Sequence, residues 1–110
     1  MNKTVMIANK VSNQLDIIEA ELKRLSLWQV EEVTAEQLAS TQPFCMDTMK
    51  FEQWLQFVLL VRFRQLIHSN QQLPRSFAIF PMAEESFKQL ARPHHVKLMN
   101  AIRSLDRLLA

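Results

Sequence analysis

Hydrophobic positions recur at helical spacing near both ends of the chain. Ile7, Val11, Leu15, Ile18, Leu22 and Leu25 step by four, four, three, four and three residues. Those steps put six apolar side chains on one stripe of a helix, with Lys10, Asn13, Asp16, Glu19, Lys23 and Arg24 on the solvated side. The stripe has heptad character, but about three repeats suit a bundle helix rather than a free coiled coil. At the other end Leu98, Ile102, Leu105 and Leu109 step by four, three and four. They predict a second amphipathic helix, opened by Pro93.

The middle of the chain behaves differently. From Thr48 to about Asn70 there is no proline, and the apolar residues from Phe51 to Ile67 surround a helical axis instead of lining one side. A helix apolar all round belongs at the centre of a bundle. At 1.5 Å per residue it would be about 35 Å long, enough to cross a small domain. Asp47 is placed to cap its N-terminus, where the helix dipole also favours a carboxylate.

Shorter signals fill the connections. Thr34-Ala35-Glu36-Gln37 reads as a capping box for a short helix ending near Ser40. Pro43 then biases Gln42 toward extended geometry in a loop. Leu73-Pro74 ends the central helix, Ser76 to Ile79 reads as extended, and Pro81 suits the first position of a helix through about Ala91. The expectation is an all-α fold: a single four-helix bundle over residues 1–110, with one additional short helix and the apolar helix of about 48–70 at its centre.

Composition narrows the function more than the fold. Apolar residues make up 48% of the chain, enough to build a core rather than a disordered segment. Glycine is absent. Neither a dinucleotide fingerprint nor a phosphate-cradling Walker loop can be written without it, so those two classes of nucleotide enzyme are excluded. Cys45 is the only cysteine, which rules out an intrachain disulfide and a thiolate metal cluster. The longest uninterrupted apolar run, 57–61, is far short of the roughly 20 residues of a membrane span. With no basic-then-apolar leader visible, the expected location is cytoplasmic.

The residues then point to a family. Ser40-Thr41-Gln42-Pro43-Phe44, Met46-Asp47-Thr48-Met49 and Trp54-Leu55-Gln56, followed by Arg62, Leu73-Pro74, Phe77-Ala78 and Pro81 with Glu84, resemble the YqcC-like proteins of bacteria. The likeness is strong over about 40–85 and rests on length and pattern in the flanking helices. Phe57 stands where Trp is expected, and Val61 where Pro is expected, which implies a central helix without a proline kink. The resemblance implies a four-helix bundle and brings no catalytic residues. Because members are often encoded beside a tRNA pseudouridine synthase, it also implies a role near tRNA modification.

Two sets of residues are candidates for function. On an unbroken α-helix Arg62 falls between Leu55 and Val58, inside an apolar sector. A guanidinium there must pair with a carboxylate such as Asp47, Glu84 or Glu85, snorkel to solvent, or sit at a groove mouth as a bidentate anchor. Gln42, Phe44 and Asp47 lie on a loop specific enough to join Trp54 and Arg62 in one partner-binding pocket, although Phe44 plugging the bundle end and Asp47 capping would account for them structurally. The second set follows from charge: residues 1–55 carry a net −3 and residues 56–110 a net +5. Lys88, Arg92, Lys97, Arg103 and Arg107 could contact RNA weakly or form a solvated face. His94-His95 are adjacent and make a poor metal pair. The expected protein is a non-enzymatic interaction or accessory module with no cofactor or metal, monomeric or weakly dimeric. It would hold a protein partner, or serve as an RNA-associated accessory factor.

Overall fold

A computed structural model describes residues 2–90 and 94–110. Six α-helical segments follow in order: α1 (Lys3–Arg24), α2 (Ala35–Leu38), α3 (Phe51–Trp54), α4 (Leu60–His68), α5 (Phe80–Phe87) and α6 (Val96–Leu108). Leu55–Leu59 joins α3 to α4 as a π-helical turn, so 51–68 is one helical rod. No strand occurs among the described residues. The architecture is the expected all-helical bundle of four main rods and one short helix.

The apolar stripe of α1 does what its spacing predicts. Val11, Leu15, Ile18 and Leu22 are fully buried, while Ile7 and Leu25 pack half-buried against the same core. Asn2 begins the helix, its Oδ1 accepting the Val5 N–H at 2.8 Å, and Lys23 and Arg24 occupy the last turn, where the dipole favours cations. Helix α6 lies antiparallel to α1. Arg24 donates to the His94 carbonyl at one end, while Lys10, Asn13 and Gln14 face Ser104, Arg107 and Leu108 at the other. Leu98, Ile102, Leu105 and Leu109 are fully buried between them.

The central rod starts and ends inside the predicted range. It begins at Phe51, with Lys50 as the N-cap residue, so Asp47 does not cap it. The cause is a turn over 45–49: the Thr48 and Met49 N–H groups both donate to the Cys45 carbonyl at 3.0 Å, which leaves Asp47 upstream of the helix. The rod is also buried on one broad face rather than all round. Phe51, Trp54, Leu55, Gln56, Leu59, Leu60 and Phe63 are buried, whereas Val61, Arg62 and Gln65 face solvent.

Helix α5 takes its cap from another element. Phe80 is its first residue and Pro81 its second, and no side chain of its own caps it. Instead the Asp106 carboxylate on α6 accepts the Ile79 N–H at 2.8 and 2.9 Å and the Phe80 N–H at 2.7 Å. The segment before it is not extended: Ser76 has φ 57° and its N–H donates to the Leu109 carbonyl at 2.6 Å. Helix α6 runs from Val96; Pro93, expected to open it, lies with Ala91 and Arg92 outside the described residues.

Candidate functional site

The loop between α2 and the central rod is held from both sides. The capping box at Thr34 forms as predicted, with the Gln37 N–H on Thr34 Oγ1 at 3.1 Å and the Thr34 N–H on Gln37 Oε1 at 2.8 Å. Gln37 then reaches onward, donating from Nε2 to the Thr48 carbonyl at 3.1 Å, and its own carbonyl accepts the Thr48 hydroxyl at 2.8 Å. Ser40 donates its hydroxyl to Asp47 and accepts the Gln42 N–H at 3.1 Å. Thus Asp47 braces the loop from behind.

Within this frame Phe44 and Cys45 both adopt left-handed backbone, φ 57° and 50°. That conformation is costly for residues with a Cβ and persists only where the surroundings impose it. Here it swings the Phe44 ring onto the rod, edge-on to Trp54 at 4.8 Å and to Phe51 at 5.9 Å, while Phe51 and Trp54 stack at 5.7 Å. Cys45 is buried beneath.

The π turn decides where Arg62 points. The Leu60 N–H donates to the Leu55 carbonyl, five residues back instead of four. One extra residue in that turn rotates everything beyond it by about 100° relative to an unbroken α-helix. Arg62 therefore leaves the apolar sector that α-helical counting assigns it. It is exposed and makes no ion pair among the described residues, with neither Asp47, Glu84 nor Glu85 as a partner. The irregularity is present although residue 61 is Val.

Arg62 opens onto a cleft of about 420 Å³ whose wall includes Gln42, Phe44, Trp54, Phe57 and Val58. Four of the five residues expected to form a pocket thus come together, and Asp47 acts one step back through Ser40. Leu38 and Val61 line the rim and are 48% and 46% exposed; Met46, at 58%, projects from the same loop. Neither Asp nor Glu lines this cleft among the described residues.

Sequence reasoning missed the arginine that does pair. Arg64 bridges Asp16 at 3.0 Å and Glu19 at 2.5 Å, tying α4 to α1. Hydrogen bonds from Lys23 and then Arg64 hold the Glu19 carboxyl below its ordinary pKa, and Arg24 does the same for the buried Glu21. Gln56 was also missed. It is buried and meets the backbone of Gln29 on both sides, accepting its N–H at 2.9 Å and donating to its carbonyl at 2.7 Å. A glutamine flanked by apolar residues in a helix was the available signal.

The cationic residues of the second half do not form one patch. Arg103 lies over the Phe80 ring at 4.3 Å and shares a groove with Lys88, which pairs with Glu85 at 2.9 Å. Arg107 faces Lys10 across α1 instead, and Lys97 lies close enough to Glu21 to lower its pKa slightly. Arg92 lies outside the described residues. Among the described residues no group of three metal-ligating side chains comes together, and no helix is long and apolar enough to cross a membrane.

The loop-and-rod arrangement is shared with known proteins. A family described as tRNA pseudouridine synthase C (DUF446) matches residues 10–108. The YqcC protein of Escherichia coli is 36% identical over 102 residues, 93% of each chain. The chain belongs to the YqcC-like family. A Haemophilus influenzae protein is 37% identical over 81 residues, 74% of this chain and 76% of that one. The solution NMR structure of Escherichia coli YqcC superposes with a TM-score of 0.79 at 37% identity, covering 94% of this chain and 88% of that chain. In Pectobacterium carotovorum a protein named tRNA pseudouridine synthase C is 45% identical over 69 residues, 63% of this chain but only 18% of that protein. The YqcC-like sequence there is a minor part of a much longer polypeptide.

Proposed function

We propose that this chain is an interaction module without catalytic chemistry of its own, which holds a protein partner in the cleft beside Arg62. One observation carries the reading: a guanidinium without a carboxylate stands at the mouth of an aromatic-walled cleft, and exposed Leu38 and Val61 line the same cleft. Apolar side chains grouped on a surface mark a site that another molecule covers, and Arg with aromatic residues is the usual make-up of an interface centre. The Pectobacterium sequence supports a tRNA pseudouridine synthase as the partner, because there a YqcC-like stretch lies within a protein of that name. Co-purification of tagged wild-type protein, Arg62→Glu and Val61→Asp with a tRNA pseudouridine synthase tests this. Both substitutions are on exposed positions, and circular dichroism verifies folding. Loss of the synthase with both variants is expected; equal recovery by all three proteins sinks the reading.

A second reading, an RNA-associated accessory factor linked to tRNA modification, draws on the outward side of α6. Lys97, Arg103 and Arg107 are each exposed at separate places along that helix, while its only acid, Asp106, is occupied with the N-terminus of α5. Titration of labelled tRNA at two salt concentrations separates the readings. Affinity that falls steeply with salt favours the cationic side, and no binding at low salt removes it.

A further inference from the structure

A groove of about 490 Å³ runs between α5 and α6. It shares no lining residue with the Arg62 cleft, so the two sites stand or fall separately. Its chemistry changes in order along its length. Phe80 and Glu84 on α5 and Lys88 just past its end recur every four residues, and Val96, Asn100 and Arg103 line the same groove from α6.

At one end the Arg103 guanidinium carbon sits over the Phe80 ring, 4.3 Å from its centre. The phenyl ring covers the guanidinium from one side, and no carboxylate pairs with it among the described residues. A guanidinium without a carboxylate can stack its planar face on an aromatic ring or nucleobase. In the middle stand a carboxylate, Glu84, and an amide, Asn100, one an acceptor of O–H groups and the other both donor and acceptor.

The far end is suited to an anion. Lys88 is bound there only by an exposed pair with Glu85, an interaction too weak to hold it against a phosphate. The N-terminus of α6 opens at the same end, without an acidic residue in its first turn or a side-chain cap. His95, 6% exposed, lines the groove there, and its Nδ1 has no hydrogen-bond partner among the described residues. A buried polar atom left unpaired is uncommon and calls for an explanation.

From Phe80 to Lys88 the groove spans about 12 Å at the rise of a helix. Ring platform, hydroxyl acceptor and phosphate end therefore follow one another over the length of a single nucleotide. We propose that this groove binds a ribonucleotide monophosphate unit, with the base stacked on Arg103, the ribose hydroxyls donating to Glu84, and the phosphate at Lys88 and the α6 N-terminus. Such a unit occurs as a free nucleotide and within single-stranded RNA.

The test is an amide-shift titration of the isotopically labelled full chain with AMP, dAMP, adenosine, inorganic phosphate and an adenylate tetramer. AMP should move the amides of 80–88 and 95–103 and leave the Arg62 cleft unmoved. Adenosine and phosphate alone should each bind at least about tenfold more weakly. A several-fold preference for AMP over dAMP should vanish in Glu84→Gln. Arg103→Lys, which keeps the charge and loses the plane, should weaken AMP by about tenfold while phosphate binding stays the same. A tetramer that binds more tightly than AMP assigns the site to RNA; equal affinity assigns it to free nucleotide. The proposal is overturned if millimolar AMP moves no amide in the groove, if phosphate alone binds as well as AMP, or if Arg103→Lys binds AMP like the wild type.

Discussion

Asp106→Ala should be among the more damaging polar substitutions in the molecule. The Asp106 carboxylate accepts two backbone N–H groups, those of Ile79 and Phe80, at 2.7–2.9 Å. Ile79 is fully buried, so after truncation its N–H has no water to turn to. An unsatisfied buried donor costs about 1–3 kcal/mol, and both bonds lost here are to a charged acceptor. We expect a loss of about 3 kcal/mol, which for a domain near 100 residues lowers Tm by roughly 12–24 °C. Asp106→Asn keeps one carbonyl oxygen in place and should cost only about 1 kcal/mol. Urea unfolding followed by circular dichroism measures both variants, and amide exchange at 79–87 reports whether α5 loosens first. If the alanine variant falls within about 0.5 kcal/mol of wild type, or the asparagine variant is equally harmed, the capping argument is wrong. The consequence reaches the nucleotide groove, because α5 forms one of its walls.

Three other outcomes follow from the same geometry. Phe63 is buried and meets Phe77 edge-on at 5.6 Å, so Phe63→Ala should cost about 3–5 kcal/mol in equilibrium unfolding, and a loss under about 1 kcal/mol would mean the core is not packed as described. Gln56→Leu strands the N–H and carbonyl of Gln29 and should destabilise by about 1–3 kcal/mol, with the amide signals around residue 29 moving most; a neutral effect would show that solvent replaces both bonds. Glu19 and Glu21 titrate below the ordinary glutamate value because Lys23 and Arg64, and Arg24 respectively, hydrogen-bond to their charged forms. A depressed folded pKa means stability that is present above the unfolded value of about 4.3 and is lost as pH falls through the folded one. Urea midpoints should therefore drop below about pH 4, and Glu21→Gln should flatten that acid limb; an unchanged slope counts against it.

Local patterns in the sequence determined the parts of this protein that depend on neighbours along the chain. The α1 stripe, the Thr34–Gln37 capping box and the apolar C-terminal helix all follow from residues three or four apart, and the structure reproduces them. The loop-and-rod site was legible as residue types: Gln42, Phe44, Trp54 and Arg62 do share a cleft. Its geometry was not. A wheel drawn at a constant 100° carries no trace of the Leu55–Leu59 π turn or of the slip that turns Arg62 outward. Asp47 illustrates the same limit, since a good helix cap by type became a brace once Thr48 bonded to Gln37 across the loop. The cap that α5 does receive comes from Asp106, 26 residues from Phe80 along the chain. Side-chain hydrogen bonds between distant segments form only after the helices have packed, because packing alone brings donor and acceptor within reach. Periodicity settles which faces are apolar; the three-dimensional fold decides which polar groups meet and which, like Arg62, face solvent without an ion pair among the described residues.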